Sequence, residues 1–177
     1  MKEIPKPYCL NLNRVKAFVL GADPTNPSGK KFEYVFGINS GDRRYFSAIE
    51  RNLSEVGLSL GQIYVQNLIP EYLDKPTSEN KNWESSAEKW HPLIKTEFDD
   101  IDETKQIPVL VTAERIFKYL NNSKTPKAKE IYSGNLEVPF LNNKLERPVI
   151  PFYRNFYYSL YKPEWIIYKG KLLKLFD

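Results

Sequence analysis

Three segments of this chain are almost continuously apolar, and no other feature constrains its fold as tightly. They are Val15-Lys16-Ala17-Phe18-Val19-Leu20, Gln62-Ile63-Tyr64-Val65-Gln66 and Ile107-Pro108-Val109-Leu110-Val111-Thr112. Short runs without apolar–polar alternation are expected of strands covered on both faces, the situation in a parallel sheet. Two further runs, Tyr34-Val35-Phe36-Gly37-Ile38 and Arg147-Pro148-Val149-Ile150, read as strands two and five in chain order. Helical periodicity lies between them. Phe46, Ile49, Leu53 and Val56 recur at three- and four-residue spacing before Gly57, Ile116, Phe117 and Leu120 do so between Glu114 and Asn122, and a further helix is expected within residues 81–100. Strands alternating with helices predict an α/β fold, a three-layer α/β/α sandwich with a central, mostly parallel sheet of four to five strands. The tail from Trp165 to Leu175 reads as a small C-terminal hairpin, about residues 164–176, turning at Lys169-Gly170.

At 177 residues, with 41% apolar residues, 10 Phe, 12 Tyr and 3 Trp, the chain can bury a substantial core as a single domain over residues 1–177. No apolar run approaches the roughly 20 residues that span a bilayer. The N-terminus, Met1-Lys2-Glu3-Ile4-Pro5-Lys6, lacks the apolar stretch of a secretion signal. Cys9 is the only cysteine and cannot form an intramolecular disulfide, so a cytoplasmic location is expected. The net charge of +4 is unevenly spread. Residues 71–106 hold 10 acids and 5 bases, which leaves the remainder at +9, a distribution that could guide a polyanion to one face or be an ordinary solvated acidic helix.

In an open parallel sheet, ligands bind beyond the carboxyl ends of the strands. One step past the first apolar segment comes Gly21-Ala22-Asp23-Pro24-Thr25, past the third strand Asn67, past the fourth Ala113-Glu114, and past the fifth Pro151-Phe152-Tyr153-Arg154-Asn155. An acid before proline is pushed out of the helical region, so Asp23 projects from a turn. Such a carboxylate can orient water or stabilise developing positive charge, and it is equally a routine turn former. The Asn67 amide offers a donor and an acceptor to a base edge, or closes a turn. Phe36 is a core or stacking aromatic. Asn26-Pro27-Ser28-Gly29-Lys30-Lys31 is a basic loop able to touch phosphate. Glycine-rich dinucleotide and nucleotide-triphosphate signatures are missing, and Cys9 and the single His91 have no metal-ligand spacing, so no cofactor and no metal are expected. His91 falls in the acidic helix as a structural residue.

Taken in order, these residues resemble the uracil-DNA glycosylase superfamily over about residues 15–156. VKAFVLGADPT (Val15 to Thr25) is similar to the family's first strand and water-activating loop. Phe36 in YVFGI matches the aromatic that stacks on the flipped base, and IYVQN (Ile63 to Asn67) the strand ending in the base-reading asparagine. Trp83-Glu84 stands where the family commonly has a tryptophan–glutamate pair, and Ile107 to Thr112 resembles the next strand. Ile150-Pro151-Phe152-Tyr153-Arg154-Asn155 occupies the place of the family's last motif, and its ending resembles the single-strand-selective branch.

The resemblance implies a DNA N-glycosylase with DNA as partner and no cofactor. Asp23 would be catalytic. Gly21, Ala22, Thr25, Phe36 and Asn67 would bind the base, and Pro151, Phe152, Tyr153, Arg154 and Asn155 would form a DNA-contacting loop with Phe152 and Tyr153 as a wedge. The basic C-terminal region, with Arg147, Arg154 and Lys162, would add charge. The alternative for the aromatic run Phe152 to Tyr158 is a packed face. Three departures stand out. Ile150 replaces the family's histidine, Ala22 its glutamine and Thr25 its tyrosine, so uracil specificity is not implied. A catalytically inactive nucleic-acid or nucleobase-binding module on the same fold is the alternative, and an enzyme acting on free nucleosides is the third.

Overall fold

The computed structural model describes residues 4–177, so Met1, Lys2 and Glu3 of the segment read for a secretion signal lie outside the described residues. Five strands form one sheet: β1 (Tyr8–Cys9), β2 (Ala17–Gly21), β3 (Ile63–Asn67), β4 (Val109–Val111) and β5 (Val149–Pro151). Their spatial order is β1-β3-β2-β4-β5, with β1 antiparallel to β3 and all other pairs parallel. The helices are α1 (Ser47–Glu55), α2 (Trp83–Ile101), α3 (Glu114–Leu120), α4 (Ala128–Tyr132) and α5 (Ile166–Phe176). This is an α/β fold with a five-stranded, mostly parallel sheet, compatible with a three-layer sandwich.

The apolar runs behave as their composition dictates. Ala17, Phe18, Val19 and Leu20 of β2 are all at 0% exposure, so this central strand is covered on both faces. Phe18 stacks on Phe98 of α2 with ring centroids 4.2 Å apart. Fully burying side chains of this size stabilises by about 1.5–3 kcal/mol each. No helix is long and apolar enough to cross a membrane among the described residues.

Chain connectivity marks the sheet edge where a ligand is expected. From β2 the chain crosses to β3 on one side, and from β3 it returns past β2 to β4 on the other. The crossover direction therefore changes at β2, and the crevice beyond the carboxyl ends of β2, β3 and β4 is the expected ligand position.

One strand assignment and the tail need correction. Tyr34 to Ile38 is no strand: Val35–Gly37 is a 3-10 turn in which Phe36 (φ 57°) and Gly37 (φ 65°) both adopt left-handed backbone. Two successive positive φ values cannot extend a strand. The segment is apolar because it plugs the core, with Val35 and Ile38 at 1% and 8% exposure. The edge strand β1, too short to show a pattern, takes a place in the sheet instead.

The C-terminal hairpin is a helix. Trp165, Tyr168, Leu172 and Phe176 are buried at three- and four-residue spacing, and this period governs over the turn suggested by Lys169-Gly170. Gly170 sits inside α5, where an added Cβ would meet nothing within 4 Å. The glycine answers no local steric need.

Packed against α2 lies the most deeply buried charge among the described residues. The Arg147 side chain is at 0% exposure and pairs with Asp99 at 2.5 Å and Asp102 at 3.3 Å. Its guanidinium also lies 5.1 Å from the Phe18 ring centroid. Arg147 is therefore a core ion and cannot belong to a DNA-facing basic surface.

Candidate functional site

Gly21 ends β2 directly opposite Asn67, which ends β3. The two backbones continue in parallel past the sheet, Leu68 N donating to Gly21 O at 2.8 Å and Ile69 N to Ala22 O at 2.9 Å. A Cβ on Gly21 would lie 2.3 Å from Asn67 Oδ1 and 2.5 Å from Phe36 Cζ. Only glycine leaves room for the Asn67 amide and the Phe36 ring to meet at this strand end.

The chain then turns at Asp23-Pro24. Asp23 Oδ1 accepts from Thr25 N at 3.0 Å, closing the turn that a proline-flanked acid favours. Its other oxygen, Oδ2, accepts from the Thr77 hydroxyl at 2.5 Å and from Trp83 Nε1 at 3.1 Å. The carboxylate thus has a structural and an oriented role at once, held by groups 54 and 60 residues away. Trp83 is fully buried at the start of α2. Thr77 is fixed by Arg115 of α3, whose Nη1 donates to Thr77 O and whose Nη2 donates to Asn80 O at 2.9 Å and to Glu84 at 2.8 Å. The Arg115 hydrogen bond holds the Glu84 carboxyl below its ordinary range.

Asn67 is 2% exposed, and its Nδ2 has no hydrogen-bond partner among the described residues. Its backbone is held from the opposite side of the strand. Asn67 N donates to Gln66 Oε1 at 2.8 Å, and Gln66 Nε2 donates to Glu97 of α2 at 2.9 Å. Tyr64 OH donates to the same Glu97 oxygen at 2.5 Å. Burial, reinforced by this bond to Glu97, pushes the Tyr64 hydroxyl well above its usual pKa. The amide therefore sits on a rigid backbone with its NH2 group turned to no protein acceptor, and a buried donor that is left unsatisfied costs roughly 1–3 kcal/mol.

Asp23, Thr25, Phe36, Asn67, Thr112 and Arg154 line one cavity of about 270 Å³, with Ala22 also in its wall. The strand ends and the turn at Val35–Gly37 thus bring together all the base-binding candidates except Gly21, which makes the room. Phe36 reaches the cavity from a left-handed turn instead of a strand, a sparsely populated backbone state that for a non-glycine costs about 1–3 kcal/mol and concentrates at functional sites. The Thr25 hydroxyl is taken up by accepting from Leu73 N at 2.7 Å, which fastens the loop before α2 across the site.

The expected DNA-contacting loop divides. Pro151 ends β5, Phe152 is 0% exposed and Tyr153 3%, so neither aromatic can be a surface wedge. Tyr153 is held inward, its N–H donating to the buried Tyr132 hydroxyl at 2.6 Å. Arg154 and Asn155 remain exposed, and both line an open groove that shares Tyr45, Thr112, Ala113 and Arg154 with the cavity. Ile150 is fully buried in β5 opposite Leu110 and does not line the cavity.

The basic loop after Asp23 is ordered around Asn26, whose Nδ2 donates to Lys30 O at 2.8 Å and whose Oδ1 accepts from Ser28 Oγ at 2.6 Å. His91 lies in α2, as expected, with Nδ1 2.7 Å from Tyr119 OH. Thr77, Tyr45 and Thr112 are site residues that sequence reasoning missed. Thr77 carries no local signal, because only the folded chain shows that its hydroxyl meets Asp23.

No protein-family model matches the chain, and no curated protein matches it.

Proposed function

We propose that this chain is a uracil-DNA glycosylase-like protein that hydrolyses the base–sugar bond of a damaged nucleotide flipped out of DNA. The observation that carries the reading is the convergence of Asp23, Phe36 and Asn67, from three separate segments, on one cavity with a buried amide donor still unpaired. Their chemistry fits the steps of such a reaction. An extruded base stacks on an aromatic ring and is read by hydrogen bonds to its edge. A clamped carboxylate can place water against the anomeric carbon and stabilise the positive charge that builds on the sugar as the base departs with the bonding electrons.

A second reading, a non-catalytic nucleobase-binding module on the same fold, is favoured by Ile150. Its buried aliphatic side chain leaves the departing base without the donor that the family's histidine supplies, a loss commonly worth about 10²–10³ in rate. Arg154, the one cation in the cavity wall, or its neighbour Asn155 would have to supply that donor.

The test is an abasic-site assay on labelled single- and double-stranded oligonucleotides carrying uracil, hypoxanthine, xanthine or an oxidised pyrimidine. Strand cleavage at the modified position after alkali is the expected result. A folded protein that binds these strands and releases no base from any of them would establish the binding module in its place.

A further inference from the structure

After Asn155 three aromatic rings stand on the surface within six residues. Phe156, Tyr157 and Tyr161 are 67%, 47% and 39% exposed. Phe156 and Tyr161 meet edge to face with ring centroids 6.3 Å apart. Each ring has a cation over one face: Lys162 Nζ lies 4.7 Å from the Phe156 centroid and 5.1 Å from that of Tyr157, and the Arg51 guanidinium lies 5.4 Å from that of Tyr161. Neither cation forms a salt bridge among the described residues.

The strip is rigidly mounted. Asn52 of α1 donates to Tyr153 O at 3.4 Å and accepts from Leu160 N at 3.0 Å. Asn155 Oδ1 accepts from Tyr157 N at 2.9 Å, and Trp165 Nε1 donates to Tyr157 O at 2.8 Å. Arg154 and Asn155 join the strip to the wall of the cavity and its groove.

Exposed rings interleaved with uncompensated cations are what an unpaired strand requires: π-faces for successive bases and positive charge for the backbone. A duplex keeps its base faces stacked inside and cannot offer them. We propose that Phe156, Tyr157 and Tyr161, with Arg51 and Lys162, form a stacking platform for single-stranded nucleic acid passing the cavity. The proposal rests on the nucleobase reading of the cavity only for the direction of the strand.

The experiment is fluorescence anisotropy with a labelled 16-nucleotide oligothymidylate, alone and annealed to oligodeoxyadenylate, across a salt series. Wild type is expected to bind the single strand about tenfold more tightly than the duplex. Phe156→Ala/Tyr161→Ala is expected to lose about tenfold or more of single-strand affinity, as removal of a stacking ring does. Phe156→Leu keeps the apolar surface, removes the ring and answers the same question should the double variant fail to fold. Arg51→Gln/Lys162→Gln is expected to flatten the log–log salt slope by about 1.4, or roughly 0.7 per phosphate contact on a single strand. Equal or tighter duplex binding, unchanged affinity in both ring variants, or no binding by wild type would each overturn the platform. A wild type that binds the oligomer through these rings yet releases no base from strands carrying the modified bases would keep the platform and remove the glycosylase reading.

Discussion

Asp23→Asn is expected to slow base release by about 10²–10³-fold, the usual cost of one preorganised electrostatic contact in a reaction centre. The substitution does more than remove a charge. Asp23 offers acceptor oxygens to three donors: Thr25 N, the Thr77 hydroxyl and Trp83 Nε1. An amide can keep the Thr25 bond only by turning its NH2 toward the Trp83 N–H, and donor then faces donor. The Thr77 hydroxyl can rotate to accept, but the indole cannot, so a destabilisation of about 1–3 kcal/mol accompanies the loss of rate. Single-turnover assays beside thermal melts separate the two effects. Base release at the wild-type rate from the folded variant would remove Asp23 from the chemistry.

Arg147→Met is expected to lower the unfolding free energy by about 3–5 kcal/mol, because breaking a buried ion network from one side leaves its partner charges uncompensated. The two partners differ in setting: the Asp99 side chain is 24% exposed and that of Asp102 only 7%. Burial alone would raise both carboxyls. At Asp99 the hydrogen bonds from Arg147 and Lys95 outweigh it, and at Asp102 the Thr104 hydroxyl, the Ile107 N–H and the Arg147 charge do so. Both folded-state values are depressed, so this stability is fully present above the ordinary aspartate value of about 3.9 and is lost as pH falls below it through the folded values. Urea unfolding at neutral pH and below pH 4 checks the sign. Wild type loses stability on acidification, and Arg147→Met, with less to lose from these carboxylates, declines less steeply.

The parts of the site that were legible in the sequence are those that sit on regular strands. The uninterrupted apolarity of Ala17 to Leu20 and Ile63 to Val65 marks β2 and β3, and the residues at and just past their carboxyl ends, Asn67 and Asp23, share the cavity. What fastens Asp23 was not legible, since Thr77 and Trp83 reach it by tertiary contact alone and Thr77 stands in a loop without periodicity. Phe36 was placed in the site but in the wrong backbone state, because an apolar pentapeptide that plugs a core looks like a buried strand until the two left-handed residues are seen. The aromatic run after Ile150 shows the opposite difficulty. Phe152 and Tyr153 go inward while Phe156 and Tyr157 go outward, and their composition is the same. The direction is set by Tyr132 capturing the Tyr153 N–H and by Asn155 capping the short turn that follows. In α5 the buried spacing of Trp165, Tyr168, Leu172 and Phe176 was present in the sequence, and one Lys-Gly step distracted from it.

Asn67 Nδ2 has no hydrogen-bond partner among the described residues, so a ligand that satisfies it would add to the stability of the fold. Any planar molecule that slides against Phe36 and presents a carbonyl oxygen to Nδ2 satisfies that donor, and at a hundredfold excess over its Kd it stabilises the native state by about 2.7 kcal/mol. A base that turns an amino group to the same point places donor against donor and gains nothing there. Heat resistance thereby becomes a readout of what the cavity accepts, one that needs no bond to be broken.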